Sequence, residues 1–426
     1  MRTGLAGLAV LSLVLAGCAR APKIPLGGDP PGDRPPGQEM LDGGGGPSLA
    51  APGNRVSLVS SGPKALEALF AAMEGARDHI NLEFYILENV RVHGRSLDQL
   101  LARKLRSGVA VNLILDGYGS HRTDPAFLER LRREGARIVF FHPVGVAEIL
   151  RLDRINDRDH RKILVVDGRV GWIGGINIAR TYESDADAAA STGDRPRLRW
   201  DDVAARIEGP AVAELQRLFF ATWSAEHGPA VEKRSYYPEL AKAGRERVRV
   251  IGSGPGRNLA LFYGGLLERM HAARRSIDLC TGSFVPTRQM VEELARAGRR
   301  GVAVRLVLPS VLYHPEVEMA GSADYPELLR AGVRIWEMPE EVLHTKLAAI
   351  DEDWTAVGSS NLDERSVLFN QEVDTIVWGR RPASAARAIV EAEISRCREI
   401  TLPEWRRRAL LERMNEFFSV LWRFLL

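Results

Sequence analysis

Two segments of this chain, HRKILVVD from His160 and HTKLAAID from His344, carry one pattern: a histidine, a lysine two residues on, and an aspartate seven residues on. The register continues past each copy, because Gly174 and Asn177 stand as far beyond His160 as Gly358 and Asn361 stand beyond His344. With nine histidines in the chain, one such match by chance is improbable, and a second with the same downstream glycine and asparagine is negligible. The chain therefore holds two copies of one local structure, and its fold must accommodate a duplication.

On a strand, residues two apart point to the same face, so each motif presents an imidazole and an ammonium side by side. The apolar runs 163–166 and 347–350 predict buried strands. Asp167-Gly168 predicts a hairpin turn, and a second strand, 170–173, then carries Asn177 back toward the histidine. One copy alone cannot complete a reaction. Two copies packed face to face would bring both histidines, both lysines and both asparagines to a pocket suited to a phosphodiester. One imidazole could then attack phosphorus while the other protonates the leaving alkoxide. The lysines and asparagines would hold the non-bridging oxygens and offset the charge of the transition state. The histidine spacing lacks the HExxH and CxxC patterns of zinc sites, so neither a metal nor another cofactor is expected.

The duplication extends beyond the motifs. VSLVSSGP from Val56 resembles VRVIGSGP from Val248, INL from Ile80 resembles IDL from Ile277, GVAVNLIL from Gly108 resembles GVAVRLVL from Gly301, and GARI from Gly135 pairs with GVRI from Gly332. Each half reads as strand, helix, strand, helix, strand, helix, strand and then the motif hairpin. Residues 96–106 and 289–297 place Leu, Val and Ala at helical spacing with arginines opposite. Alternating strands and helices imply an α/β fold with mixed sheets covered on both sides. The first half is longer between Ile138 and His160, and the extra segment, 144–157, combines Val146, Ile149 and Leu150 with Arg151 and Arg154. It is expected to form a lip over the pocket or an ordinary surface loop.

With NLEFYILE from Asn81, ILDGYGS from Ile114, RDHRK from Arg158, IEGPAV from Ile207, SFVPT from Ser283 and GSSNLDERS from Gly358, the chain resembles the phospholipase D superfamily. Within that superfamily it is similar to the bacterial cardiolipin synthases, from Val56 to the C-terminus. The resemblance implies a duplicated phospholipase D fold, with two similar α/β/α lobes at 55–235 and 236–400 and the active site at their interface. It implies transfer of a phosphatidyl group between phospholipids, with phosphatidylglycerol as donor and acceptor, through a covalent phosphohistidine. His160 and His344 match the catalytic pair, Lys162, Lys346, Asn177 and Asn361 the phosphate cradle, and Asp167 and Asp351 the motif aspartates. The aspartates are grouped with the catalytic motif, although a structural role suits them better. Glu372 and Asp202 match the carboxylates that would stand behind the imidazoles, with Ser359 as a further support. Asp201 adjoins Asp202, after an insertion-like loop at 184–197. In the family the N-terminal histidine is usually the nucleophile, which points to His160 for attack and His344 as acid, though the half-sites are nearly symmetric. Ser283 stands where the family usually has an aromatic residue before Phe284, which bears on acceptor preference. A hydrolytic phospholipase D shares these residues. An envelope nuclease of the superfamily and a non-catalytic lipid-binding lipoprotein are the remaining alternatives.

The 426-residue chain is 45% hydrophobic, enough to bury one extended core or two fused ones, and is expected to be a monomer. A net charge of +3 does not by itself argue for nucleic-acid binding, and none is expected. At the N-terminus, Met1-Arg2 and an apolar stretch too short to span a membrane lead into LAGC, which ends at Cys18. This resembles a lipoprotein signal over 1–17, with Cys18 lipidated and Pro- and Gly-rich residues 18–54 as a tether. The expected location is the periplasmic side of the cell envelope, with the outer membrane favoured by Ala19 after Cys18. Cys280 and Cys397 are expected to be buried free thiols, although an oxidising compartment could pair them. The stretch 401–426 is expected to form an amphipathic helix, which either dips into a membrane surface or closes the core.

Overall fold

A computed structural model describes residues 23–24, 26, 50–143, 157–183, 199–255, 260–310 and 321–408. Cys18, nearly all of the expected lip, the insertion-like loop and residues 409–426 lie outside the described residues.

The first half runs β1 (Ala51–Val59), α1 (Gly62–Glu74), β2 (His79–Phe84), α2 (Leu97–Arg106), β3 (Ala110–Asp116), α3 (Pro125–Arg133) and β4 (Arg137–Phe141). The motif hairpin β5 (Lys162–Val166) and β6 (Val170–Gly174) follows, then β7 (Ala204–Glu208) and α4 (Val212–Ala225). The second half repeats the order: β8 (Glu246–Ser253), α5 (Leu261–His271), β9 (Ser276–Cys280), α6 (Arg288–Arg299), β10 (Ala303–Pro309), α7 (Tyr325–Arg330) and β11 (Arg334–Met338). Its hairpin is β12 (Leu347–Ile350) and β13 (Trp354–Gly358), followed by α8 (Glu364–Leu368), β14 (Asn370–Trp378), α9 (Arg380–Ile394), β15 (Arg398–Ile400) and α10 (Leu402–Arg406). Local signals set the predicted helices. Ser96 and Gln99 form a capping box on α2, and the Thr287 hydroxyl accepts from the Met290 N–H at 3.3 Å at the start of α6.

The lobes do not keep separate sheets. One mixed sheet runs β15-β11-β10-β9-β12-β13-β14-β8-β1-β7-β6-β5-β2-β3-β4, and the halves meet where β1 lies antiparallel to β8. The strand order on one side of that junction mirrors the order on the other, so a pseudo-two-fold axis relates the two motif hairpins. Beyond Lys162 the strands β5 and β12 are apolar, because both of their faces are covered. Leu164 and Val166 pack into the first lobe's own core, while Ile163 and Val165 share a core with Leu347, Ala349, Val373 and Val390 of the second lobe. That common core fuses the halves into one body.

Two expected boundaries move. The tether assigned to 18–54 overlaps folded structure, because β1 begins at Ala51 and Asn54 is fully buried, with its Oδ1 accepting from the Ala211 N–H at 2.8 Å. Ile24 is buried in the second lobe's core as well, and it exchanges two backbone hydrogen bonds with the Gln289 side chain at 2.9 and 2.6 Å. Of the C-terminal stretch assigned to 401–426, the described residues hold only the short α10. Trp405 belongs to the short α10 and is buried against Tyr325, with ring centroids 4.7 Å apart.

Candidate active site

Each motif enters the sheet from a two-residue segment held by the opposite half. Arg158–Asp159 runs parallel to Asn370 and Gln371 at the start of β14, and the His160 N–H donates to the Gln371 carbonyl at 2.9 Å. Val342–Leu343 runs parallel to Trp200–Asp201, and the His344 N–H donates to the Asp201 carbonyl at 2.7 Å. The carboxylates cross over in the same way. His160 Nδ1 lies 3.1 Å from both carboxylate oxygens of Glu372, and His344 Nδ1 lies 2.6 Å from Asp202 Oδ2. Glu372 and Asp202 are fully buried and occupy equivalent places one strand beyond the hairpins. Donation from Nδ1–H fixes each tautomer and leaves Nε2 with its lone pair.

Lys162 and Lys346 are almost wholly buried, and each Nζ donates to the carbonyl of its own histidine, at 2.6 and 2.5 Å. Lys346 lowers the pKa of Lys162, and both His160 and Lys162 lower that of His344, so the two motifs act in one pocket. Burial pulls Lys162 down to about 7 against the pull of Glu372, and pulls Lys346 down to about 8 against Asp202. Burial also lowers His160, helped by Lys162 and opposed by Glu372, while His344 falls well below the usual imidazole value through burial and Lys346. The carboxylates diverge. Burial raises Asp202 to about 6 despite Lys346, whereas at Glu372 the charges of His160 and Lys162 overcome burial and hold the carboxyl below its ordinary range. A crowded cationic pocket of this kind gains from an anion that restores the protons of its lysines and imidazoles.

Ser359 supports Glu372, its hydroxyl donating to Oε2 at 2.5 Å, and Asn370 Nδ2 donates to Oε1 at 3.2 Å. Asn177 is buried and accepts the Ile86 N–H at 3.1 Å, so its oxygen holds the loop after β2. Asn361 is the freer of the two: its amide oxygen is buried with no hydrogen-bond partner among the described residues, an unmet acceptor that a substrate hydroxyl would satisfy.

The motif aspartates stand apart from this chemistry, which corrects their grouping with the catalytic residues. Asp167 lies at the far end of β5, where its carboxylate accepts the N–H groups of Arg77, Asp78 and His79 at 2.8 to 2.9 Å. Asp351 likewise accepts from Arg274 and Arg275 and pairs with Arg269 at 3.1 Å. Both sit in the left-handed region, at φ 53° and 52°, so the motif aspartate closes the hairpin and ties it to the chain entering β2 or β9. Asp201, the neighbour of Asp202, turns away and pairs with Arg396.

Sequence reasoning missed three aromatic residues. Tyr85 meets His160 edge-on at 5.1 Å and lies over the Lys162 ammonium at 5.3 Å. Trp200 packs on His344 at 4.9 Å. Tyr182, fully buried, donates its hydroxyl to Asp202 Oδ2 at 3.0 Å. The repeat offered a signal for Tyr85 and Tyr182, because they align with Gly282 and Ser366 in the second half, where the copies differ in size and polarity. Gly282 lies so close to its motif that a Cβ there would stand 2.8 Å from the His344 Cα and 3.0 Å from Lys346 Nζ. Cys280 and Cys397 are free thiols, and among the described residues no group of His, Cys, Asp or Glu could hold a metal ion.

Two motif histidines, each backed by a carboxylate from the opposite half and flanked by a buried lysine, define a two-motif site of the phospholipase D class. The family model for the cardiolipin synthase, PLD-like domain matches the chain twice, at residues 69–196 and 266–394. Cardiolipin synthase A of Pseudomonas aeruginosa is 35% identical over 368 residues, covering 85% of this chain and 70% of that protein. Cardiolipin synthase of Geobacillus kaustophilus is 31% identical over 327 residues, covering 76% and 63%. The chain thus belongs to the cardiolipin synthase family, the phosphatidyltransferases of the phospholipase D superfamily. Phosphatidylserine synthase of Haemophilus influenzae shares the fold at a TM-score of 0.61 and 11% identity, over 87% of this chain and 95% of that one. Polyphosphate kinase of Porphyromonas gingivalis does so at 0.51 and 14%, over 82% and 48%.

Proposed function

We propose that this chain transfers a phosphatidyl group from one phosphatidylglycerol to a hydroxyl of a second, releasing glycerol and forming cardiolipin. The observation that carries the proposal is the crossed pairing of His160 with Glu372 and His344 with Asp202 around two buried lysines. His160 Nε2 attacks phosphorus, the bond to the glycerol oxygen breaks, and His344 gives that oxygen its proton. Glu372, which stays ionised, stabilises the positive charge on the phosphatidyl-His160 ring. The acceptor hydroxyl then gives its proton to His344 and attacks phosphorus, which returns His160 to its free form. Lys162, Lys346 and Asn361 bind the non-bridging oxygens, and the incoming phosphodiester raises the depressed pKa of His344 so that it arrives protonated.

The substrate lies in a membrane, and lipidation of Cys18 would hold the enzyme on the periplasmic side of the envelope, at the outer membrane. Among the described residues no helix is long and apolar enough to cross a membrane. Replacing Cys18 with Ser should release the protein from membranes on fractionation.

The test is to incubate the purified protein with phosphatidylglycerol vesicles and resolve the lipid products by mass, with His160→Ala as control. Cardiolipin and free glycerol, absent from the control, are expected. Phosphatidic acid alone would make the enzyme a hydrolase. Radiolabelled phospholipid should be trapped on His344→Ala and not on His160→Ala, and the reverse pattern would exchange the two roles.

A further inference from the structure

The pseudo-two-fold axis makes the two half-sites comparable atom by atom, and they differ in what stands behind each carboxylate. Behind Glu372 are an aliphatic hydroxyl and an amide, from Ser359 and Asn370. Behind Asp202 is a phenol. Tyr182 donates to Oδ2, the same oxygen that holds His344 Nδ1, and its own oxygen lies 3.4 Å from that nitrogen. The Tyr182 ring is fixed as well, because it packs on Gly62 at the start of α1 and meets Trp200 at 5.8 Å. The position of Tyr182 is taken in the second half by Ser366, whose hydroxyl accepts the Asn361 N–H at 3.2 Å and, among the described residues, bonds no catalytic carboxylate. The phenol is thus particular to the half-site of His344.

We propose that Tyr182 is a positioning residue for proton transfer by His344, acting through Asp202, so that the relay from Tyr182 through Asp202 to His344 serves the acid and base steps. The attack by His160 does not depend on it. The proposal rests on the assignment of His344 as the acid. A phenol is a stronger hydrogen-bond donor than serine or asparagine, and it shares the oxygen on which the imidazolium depends. It therefore fixes the carboxylate rotamer and favours its ionised form, in keeping with the part of Tyr182 in holding down the raised pKa of Asp202. Without the hydroxyl, Asp202 takes up a proton at higher pH and no longer stabilises protonated His344. The protein then attacks as before but releases a poor leaving group slowly.

The experiment compares Tyr182→Phe, which keeps the ring packing, with the wild-type chain on two phosphatidyl esters. One is phosphatidylglycerol, whose alkoxide must be protonated as it leaves. The other carries 4-nitrophenol, which departs as a stable anion. Single-turnover rates are read, so the second half-reaction does not enter. Loss of about 10–100-fold is expected on phosphatidylglycerol, with an acid limb displaced to higher pH, and less than about 3-fold on the nitrophenyl ester burst. The ratio of the two rates is independent of the fraction of protein folded. Equal losses on both esters would overturn the proposal and leave Tyr182 as packing. The label trapped on His344→Ala and on His160→Ala separates this from a failure of the underlying assignment, because covalent phospholipid on His344 would refute the acid role itself.

Discussion

Glu372→Gln keeps the volume of the side chain and removes its charge, so it isolates what a buried carboxylate does for His160. Three donors converge on the two oxygens of Glu372: His160 Nδ1–H at 3.1 Å, Ser359 Oγ–H at 2.5 Å and Asn370 Nδ2–H at 3.2 Å. An amide keeps one oxygen for His160 and Asn370 and turns an NH2 toward the Ser359 hydroxyl, which can accept it and donate instead to the Val373 carbonyl, so what is lost is the negative charge facing the His160 Nδ1–H. Loss of one charge-assisted bond of about 1.5–3 kcal/mol, felt most when His160 becomes positively charged, slows attack by about 10–150-fold. The pH profile should move with it. Glu372 raises the pKa values of His160 and Lys162, so the variant lowers both, and Lys162 drops below its present value of about 7. The acid limb, set by freeing the His160 imidazole, therefore moves to lower pH, and the alkaline limb, set by loss of the Lys162 charge, moves the same way. The assay is rapid-quench formation of radiolabelled enzyme from phosphatidylglycerol vesicles. A variant within about 3-fold of the wild-type rate, or limbs that move upward, would refute the argument.

Asp167→Ala should lower unfolding stability in urea by about 1–3 kcal/mol, through its orphaned N–H groups, while turnover per folded molecule holds; a large loss of turnover in folded protein would return Asp167 to the catalytic set. Gly282→Val should cut activity at least about 10-fold, because its Cβ would stand 2.8 Å from the His344 Cα and 3.0 Å from Lys346 Nζ; full activity would mean that the second motif has slack. A non-hydrolysable phosphonate analogue should take up protons on binding at pH 8, because Lys162 and Lys346 start from about 7 and 8 and an anion raises both. Its affinity should fall as pH rises above about 7, and calorimetry in buffers of different ionisation enthalpy that found no uptake at pH 8 would contradict this.

Much of the scaffold was legible because its signals are local. The motif strands and the Asp167-Gly168 turn each depend on residues a few places apart, and the repeat doubled the evidence for the strands. The boundaries that failed did so where distant packing overrides composition. A Pro- and Gly-rich segment gives no hint that Ile24 will sink into the second lobe beside Gln289, 265 positions away. The C-terminal stretch was open to either a membrane surface or the core, and packing against Tyr325 puts Trp405 of the short α10 in the second lobe's core.

The chemistry divides along the same line. Sequence alone determined that there are two motifs and which histidines, lysines and asparagines they supply, since spacing along a strand dictates which side chains share a face. It also offered Glu372 and Asp202 as supporting carboxylates. Only the tertiary structure decided that each carboxylate serves the histidine of the other half, across 212 and 142 positions of chain. It likewise decided that Tyr182 stands behind one half-site and Ser359 behind the other. The reason is that the sheets join at β1 and β8 and the motif ends pair with strands from opposite halves, a contact set by the shared core and not by any local propensity.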